Sequence, residues 1–171
     1  MSHCLTITHR VFDSRFLIAS ADTGALRDSG AFPSVAGYDG APVIDKLTRG
    51  LVRPANLIQN LSLGCADVVM CMEVAEHIPR AMETTFLRNV IIHSRRSVIL
   101  SWSSLKHPRG NGHINARPQE YVVSRMEALG FKANIEATRA LRAAASIIWL
   151  KPTIARFDRV REESACTFEA R

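Results

Sequence analysis

Glu73, Glu76 and His77 crowd into one short stretch directly after the apolar run Val68-Val69-Met70-Cys71-Met72. In open α/β sheets ligands bind outside the carboxyl ends of the strands, so polar groups that close such a run are candidates for chemistry. Carboxylates complement a cation or accept hydrogen bonds, and an imidazole, titrating near neutral pH, holds or moves a proton. A bland reading competes: Glu76 and His77 could cap and solvate a helix start, where the helix dipole favours acids. Asp39 closes a second run, Ser34-Val35-Ala36-Gly37-Tyr38-Asp39, and is followed by Gly40-Ala41-Pro42. A carboxylate there can accept both hydroxyls of a ribose through its two oxygens. Asp before Gly is equally a common turn residue, and both readings stay open. A third run ends in Ser101-Trp102-Ser103 and leads into a polar loop with His107, His113 and Asn115. Taken singly, each histidine has a structural hydrogen-bonding role as its default.

These groups need elements to position them. Short apolar, β-branched runs alternate with helical patterns, the signature of βαβ units and a mostly parallel, Rossmann-like sheet with helices on both faces. Strands are expected at 34–39, 67–72 and 97–102. The last two are unbroken enough to be buried on both faces. A helix over about 80–94 follows Pro79 and carries Met82, Phe86 and Val90 on one stripe, with Leu87 and Ile91 beside it. Pro118 opens another helix with Val122, Met126 and Leu129 on one face, and Gly130 stops it. A short strand is expected at 131–133, then a helix capped by Asn134 running to about Ser146. Residues 153–159 fit a last, antiparallel strand. The N-terminal part is less sharply patterned: 16–19 is a weak first strand and 24–29 a short helix.

Composition narrows the function classes. The 171 residues suit one domain, with 1–33 as its diverged part and 162–171 as a frayed tail. No apolar run approaches the ~18 residues a membrane-spanning helix needs. The first twenty residues are interrupted by His9, Arg10, Asp13 and Arg15, unlike a secretory signal, so a cytoplasmic protein is expected. The net charge of +6 comes from 18 arginines and 4 lysines spread along the chain without a block. That favours a solvated basic surface over a nucleic-acid partner. Cys4, Cys65, Cys71 and Cys166 form no CxxC pair and read as free thiols. There is no P-loop, no HExxH, no GxSxG elbow and no spacing that announces a metal site.

Taken together, GYDG (37–40), ADVVMCMEVAEHIP (66–79), SVILSWSS (97–104), NGHIN (111–115) and EYVVSRMEALGFKANIEATRALRAAAS (120–146), with the apolar strand that follows, resemble the class I S-adenosylmethionine-dependent methyltransferases. More narrowly they are similar to a methyltransferase-like group with a GFDG, SLEVAEHIP, ILSWA and GHGHVN pattern. The resemblance runs from about Val35 through the last strand. It implies S-adenosylmethionine as cofactor and methyl transfer to an acceptor of unidentified class. Asp39, with Gly40 behind it, would hold the donor's ribose; Met72 and Glu73 would line the adenosine and methionine part of the site. His77 and His113 would sit beside the active site as candidate general bases, and Asn115 would belong to a loop closing over the acceptor. The family also opens with a glycine-rich turn after its first strand. Here that stretch is Leu17-Ile18-Ala19-Ser20-Ala21-Asp22-Thr23-Gly24, in which only Asp22 and Gly24 can stand in. Its absence supports a second expectation, a non-catalytic methyltransferase-like binding or regulatory module, or an incomplete fragment.

Overall fold

A computed structural model describes residues 15–19, 23–32, 34–104 and 112–160. They form a seven-stranded sheet: β1 (Arg15–Ala19), β2 (Ser34–Asp39), β3 (Val52–Pro54), β4 (Ala66–Cys71), β5 (Ser94–Ser101), β6 (Phe131–Ala133) and β7 (Ile154–Arg159), in the order β3-β2-β1-β4-β5-β7-β6. The strands from β3 to β5 run parallel, and β7 lies antiparallel to both β5 and β6. Five helices complete the described chain: α1 (Thr23–Asp28), α2 (Ile44–Leu47), α3 (Glu83–Ile92), α4 (Gln119–Ala128) and α5 (Ile135–Ala144).

The apolar runs become strands because both faces of the sheet are covered. Val69 and Cys71 point to one side, where they join Val98 and Leu100 under Phe86, Leu87 and Val90 of α3 and Val122 and Met126 of α4. Val68 and Met70 point to the other, with Ile99 and Ile154, under Leu26 of α1 and Leu141 of α5. The period of two that alternates β4 between the layers thus yields an unbroken apolar run instead of alternation. The expected first strand, weak by pattern, lies inside the sheet: Leu17 pairs with Ala36 on one side and Val69 on the other.

Helix ends follow their local chemistry. Pro118 stands just before α4, and Gly130, at φ 84°, provides the left-handed residue that ends it. Asn134 Oδ1 accepts the Ala137 N–H at 2.9 Å and starts α5.

Several expectations shift. The helix foreseen over 80–94 is a 3-10 turn, Arg80–Met82, followed by α3, and Met82 is 41% exposed instead of sharing the apolar stripe. β5 begins at Ser94, earlier than expected, because an irregularity in its pairing with β4 accommodates Arg95 and Arg96 in the ladder. α2 and β3 were not foreseen; β3 is three residues long, includes Pro54, and sits at the sheet edge, where a missing N–H is tolerated. Cys71 is a buried free thiol, its ionisation pushed up by burial and by the Glu76 charge, whereas Cys65 is disulfide-bonded, against expectation. Among the described residues no helix is long and apolar enough to cross a membrane. The tail foreseen at 162–171 lies outside them.

Candidate functional site

Three adjacent strands bring the first group together. Ala19 at the end of β1 pairs with Tyr38 of β2 and Cys71 of β4, so Asp39, Met72 and Glu73 all emerge at the same carboxyl edge. Asp39 and Met72 flank β1, two strand spacings or about 10 Å apart. Asp39 Oδ1 accepts the Ala41 N–H at 2.7 Å, which makes the carboxylate the anchor of the Gly40 turn. The turn reading therefore holds for one oxygen, leaving the ribose reading to the other. Gly40 is exposed beside the Ala55 carbonyl, 3.7 Å from where a Cβ would stand.

Glu73 has φ 56°, a left-handed backbone that costs a non-glycine residue of order 1–3 kcal/mol. Ser101, at the end of β5, holds it there. The Ser101 hydroxyl accepts the Glu73 N–H at 2.7 Å and donates to Glu73 Oε1 at 2.8 Å. Strain fixed in this way at a strand end aims a carboxylate over the sheet edge.

The second group forms where the chain leaves that edge. Ala75–His77 is a 3-10 turn that buries Glu76 completely, and neither Glu76 carboxylate oxygen has a hydrogen-bond partner. Burial pushes its carboxyl above the ordinary value, and the Glu73 charge adds to the push. His113 Nε2 lies 3.9 Å from Glu76 Oε1, beyond hydrogen-bond distance. The His77 and His113 rings meet edge to face with centroids 4.9 Å apart. His77 Nδ1 donates to the Gly112 carbonyl at 3.0 Å; a carbonyl can only accept, so in the neutral ring Nε2 is the acceptor nitrogen. Glu76, His77 and His113 each present one ligand atom, and these atoms lie within 4.8 Å of one another.

His113 reaches this place because its segment is tied down on both sides. The Asn115 N–H donates to the Glu76 carbonyl at 2.9 Å, and the buried Trp102 Nε1 donates to the Asn115 carbonyl at 2.7 Å. Glu83, buried at the start of α3, collects Asn115 Nδ2 at 3.1 Å, Arg117 Nη2 at 2.8 Å, Arg117 Nε at 3.2 Å, and the Tyr121 hydroxyl. Burial alone would raise the Glu83 carboxyl. The donors from Tyr121, Asn115 and Arg117 outweigh burial and hold it below its ordinary value.

Of the residues expected at a site, Asp39, Gly40, Met72 and Glu73 gather at the sheet edge, and His77 and His113 form their own cluster. Gly24 is in the first turn of α1, where a Cβ would come within 3.2 Å of the Leu51 side chain. Asp22 and His107 lie outside the described residues. Sequence reasoning did not foresee the Glu76–His77–His113 convergence, the Ser101 clasp or the Glu83 anchor. Their signals were present: two adjacent polar residues after Glu73, a serine closing β5, and an acid on the apolar side of a helix.

Six strands running one way, with the antiparallel β7 inserted between β5 and β6 and helices on both faces, make the class I S-adenosylmethionine-dependent methyltransferase fold. Solved structures similar to this chain include methyltransferases. One is magnesium protoporphyrin IX methyltransferase (ChlM) from Synechocystis PCC 6803 with bound SAH, at TM-score 0.60 and 15% identity over 86% of this chain and 74% of that one. Another is the N-methyltransferase NodS from Bradyrhizobium japonicum WM9 in complex with S-adenosyl-L-homocysteine, at TM-score 0.61 and 12% identity over 87% and 80%. The small RNA methyltransferase HEN1 matches at TM-score 0.60 and 18% identity, over 94% of this chain and 25% of that one. At such identities the likeness is one of fold. No protein-family model matches the chain, and no curated protein does.

Proposed function

We propose that this protein transfers a methyl group from S-adenosylmethionine to an acceptor, with the donor lying across the ends of β2, β1 and β4. The observation that carries this reading is the edge itself. Asp39 and Glu73 stand on either side of β1, whose pairing with both neighbours would serve as the floor of a donor pocket. Asp39 would hold the ribose through the oxygen that Ala41 does not use. Glu73, aimed by Ser101, would complement the positive charge of the donor's sulfonium. Met72, buried between them in sequence order, would line the adenosine. Methyl transfer is an in-line displacement, so holding donor and acceptor in line is most of the catalysis. His77 or His113 would accept a proton only where the acceptor must lose one as it attacks.

The experiment is isothermal titration with S-adenosylmethionine and S-adenosylhomocysteine. Binding is expected, and Asp39→Ala should abolish it. An absence of heat at millimolar ligand with folded protein would remove the reading. A second reading, a non-catalytic methyltransferase-like module, is favoured by one feature: Ala19 to Gly24 lacks the glycine-rich turn that lets a backbone approach the donor. Donor binding with no transfer to any acceptor in a labelled-methyl assay would select it.

A further inference from the structure

We propose that Glu76, His77 and His113 form a binding site for a first-row divalent transition-metal cation. The site is adjacent to the proposed donor edge. Its cation-binding test is independent of the methyl-transfer reading, because it is run without methyl donor.

The first observation is convergence. The three side chains come from a 3-10 turn and from a loop far along the chain, yet their ligand atoms fall within 4.8 Å of one another. Atoms bound around one cation at about 2.0–2.2 Å stand roughly 3–3.5 Å apart, so a contraction of an ångström or so completes the set. The second observation is independent of the first: Glu76 is wholly buried, and both its carboxylate oxygens lack a hydrogen-bond partner. A buried carboxylate left without partners is costly, and a cation removes that cost. His113 Nε2, 3.9 Å from Glu76 Oε1, is too distant for a hydrogen bond yet correctly placed for a shared metal.

The surroundings of His77 fit as well. Histidines that bind metals usually donate their other ring N–H to a carbonyl or carboxylate, which fixes the tautomer. His77 does so through Nδ1 to the Gly112 carbonyl, presenting Nε2. Gly112, at φ 79°, allows that approach, since a Cβ would stand 3.2 Å from His77 Nδ1. Two imidazoles with one carboxylate suit Mn, Fe, Co or Zn better than Mg or Ca, which take oxygen sets. Three protein ligands leave coordination positions open.

The test uses Co²⁺ as the probe on chelator-treated, full-length protein without methyl donor, followed by visible d–d absorption and calorimetry, with Mn²⁺ and Zn²⁺ as competitors. Saturable binding of one Co²⁺ is expected, with Glu76→Gln, His77→Ala and His113→Ala each weakening it at least about tenfold. Should burial make Glu76→Gln fail to fold by circular dichroism, His77→Ala, at an exposed residue, carries the test. No saturable binding of Co²⁺, Mn²⁺ or Zn²⁺ at millimolar concentration overturns the proposal. So does binding that His77→Ala and His113→Ala leave unchanged, which would place the cation elsewhere. Displacement of Co²⁺ by an equal concentration of Mg²⁺ overturns the transition-metal assignment. Failure of donor binding leaves these readouts intact, and their failure leaves the donor titration intact.

Discussion

Glu83→Gln should destabilise the protein by about 2–4 kcal/mol, although the side chain keeps its size. The carboxylate is almost wholly inside, its side chain 6% exposed. Oε2 takes both Arg117 contacts and Asn115 Nδ2, while Oε1 takes the Tyr121 hydroxyl and lies 3.8 Å from Arg125 Nε. Hydrogen bonds to charged groups contribute about 1.5–3 kcal/mol each. The two Arg117 contacts share one acceptor and a guanidinium 20% exposed, so they count as little more than one such bond. The neutral amide also turns an N–H₂ toward donors. In urea, with a slope of about 2 kcal/mol per molar, the unfolding midpoint should fall by about 1–2 M. The same geometry sets a pH signature. A carboxyl held below its ordinary value contributes stability present above the unfolded value of 4.5 and lost as pH falls through the folded one. The difference between wild type and Glu83→Gln should therefore be full at pH 7 and shrink below about pH 4.5. A midpoint shift under about 0.3 M, or a difference that persists unchanged at pH 3, would refute the anchor.

Other outcomes follow from the same contacts. His93 is buried, donates through Nδ1 to the Asn89 carbonyl and accepts the Leu63 N–H at Nε2, so its protonation would break a bond; burial, helped by Arg88, holds its pKa below 6.5. The unfolded chain then takes up a proton the folded one refuses, and stability should fall by about 1 kcal/mol as pH drops from 8 to 5.5, a slope that His93→Gln removes in urea titrations. Phe86→Ala, at a wholly buried ring meeting Trp102 edge to face, should cost about 3–5 kcal/mol by thermal unfolding, whereas Met82→Ala one turn earlier should stay within about 0.5 kcal/mol. Gly112→Ala strains a left-handed residue and presses on His77, so it should weaken Co²⁺ binding in the absorption titration and destabilise the protein by about 1–3 kcal/mol in urea unfolding.

The legibility of this chain divides along a physical line. Val69, Met70, Cys71, Val98, Ile99 and Leu100 announce β4 and β5 because transfer from water is local to each side chain, and both faces of those strands are covered. Asn134 and Gly130 announce their helix ends because caps are satisfied within a few residues. Polar partners do not work that way. Asn89 reads as a misfit on the apolar face of α3, yet it donates to the Leu57 and Gln59 carbonyls and accepts the Leu61 N–H, binding a loop about thirty residues upstream. β3 depends on an edge pairing its three residues cannot advertise.

The site divides in the same manner. Glu73, Glu76 and His77 were visible as a cluster because they are neighbours in sequence, and His113 was visible only as a histidine in a polar loop. What joins them is the tether of that loop: Trp102 to Asn115, Asn115 to Glu76, and Glu83 to Asn115, Arg117 and Tyr121. Every one of those bonds spans more than ten residues, so no spacing rule registers them. Glu76 is the clearest consequence. By sequence it is an acid suited to the solvated start of a helix; the tethered loop closes over it and leaves its two oxygens buried without partners. A residue that local rules would place in water, held dry by long-range bonds beside two imidazoles, is the strongest reason to look there for a ligand.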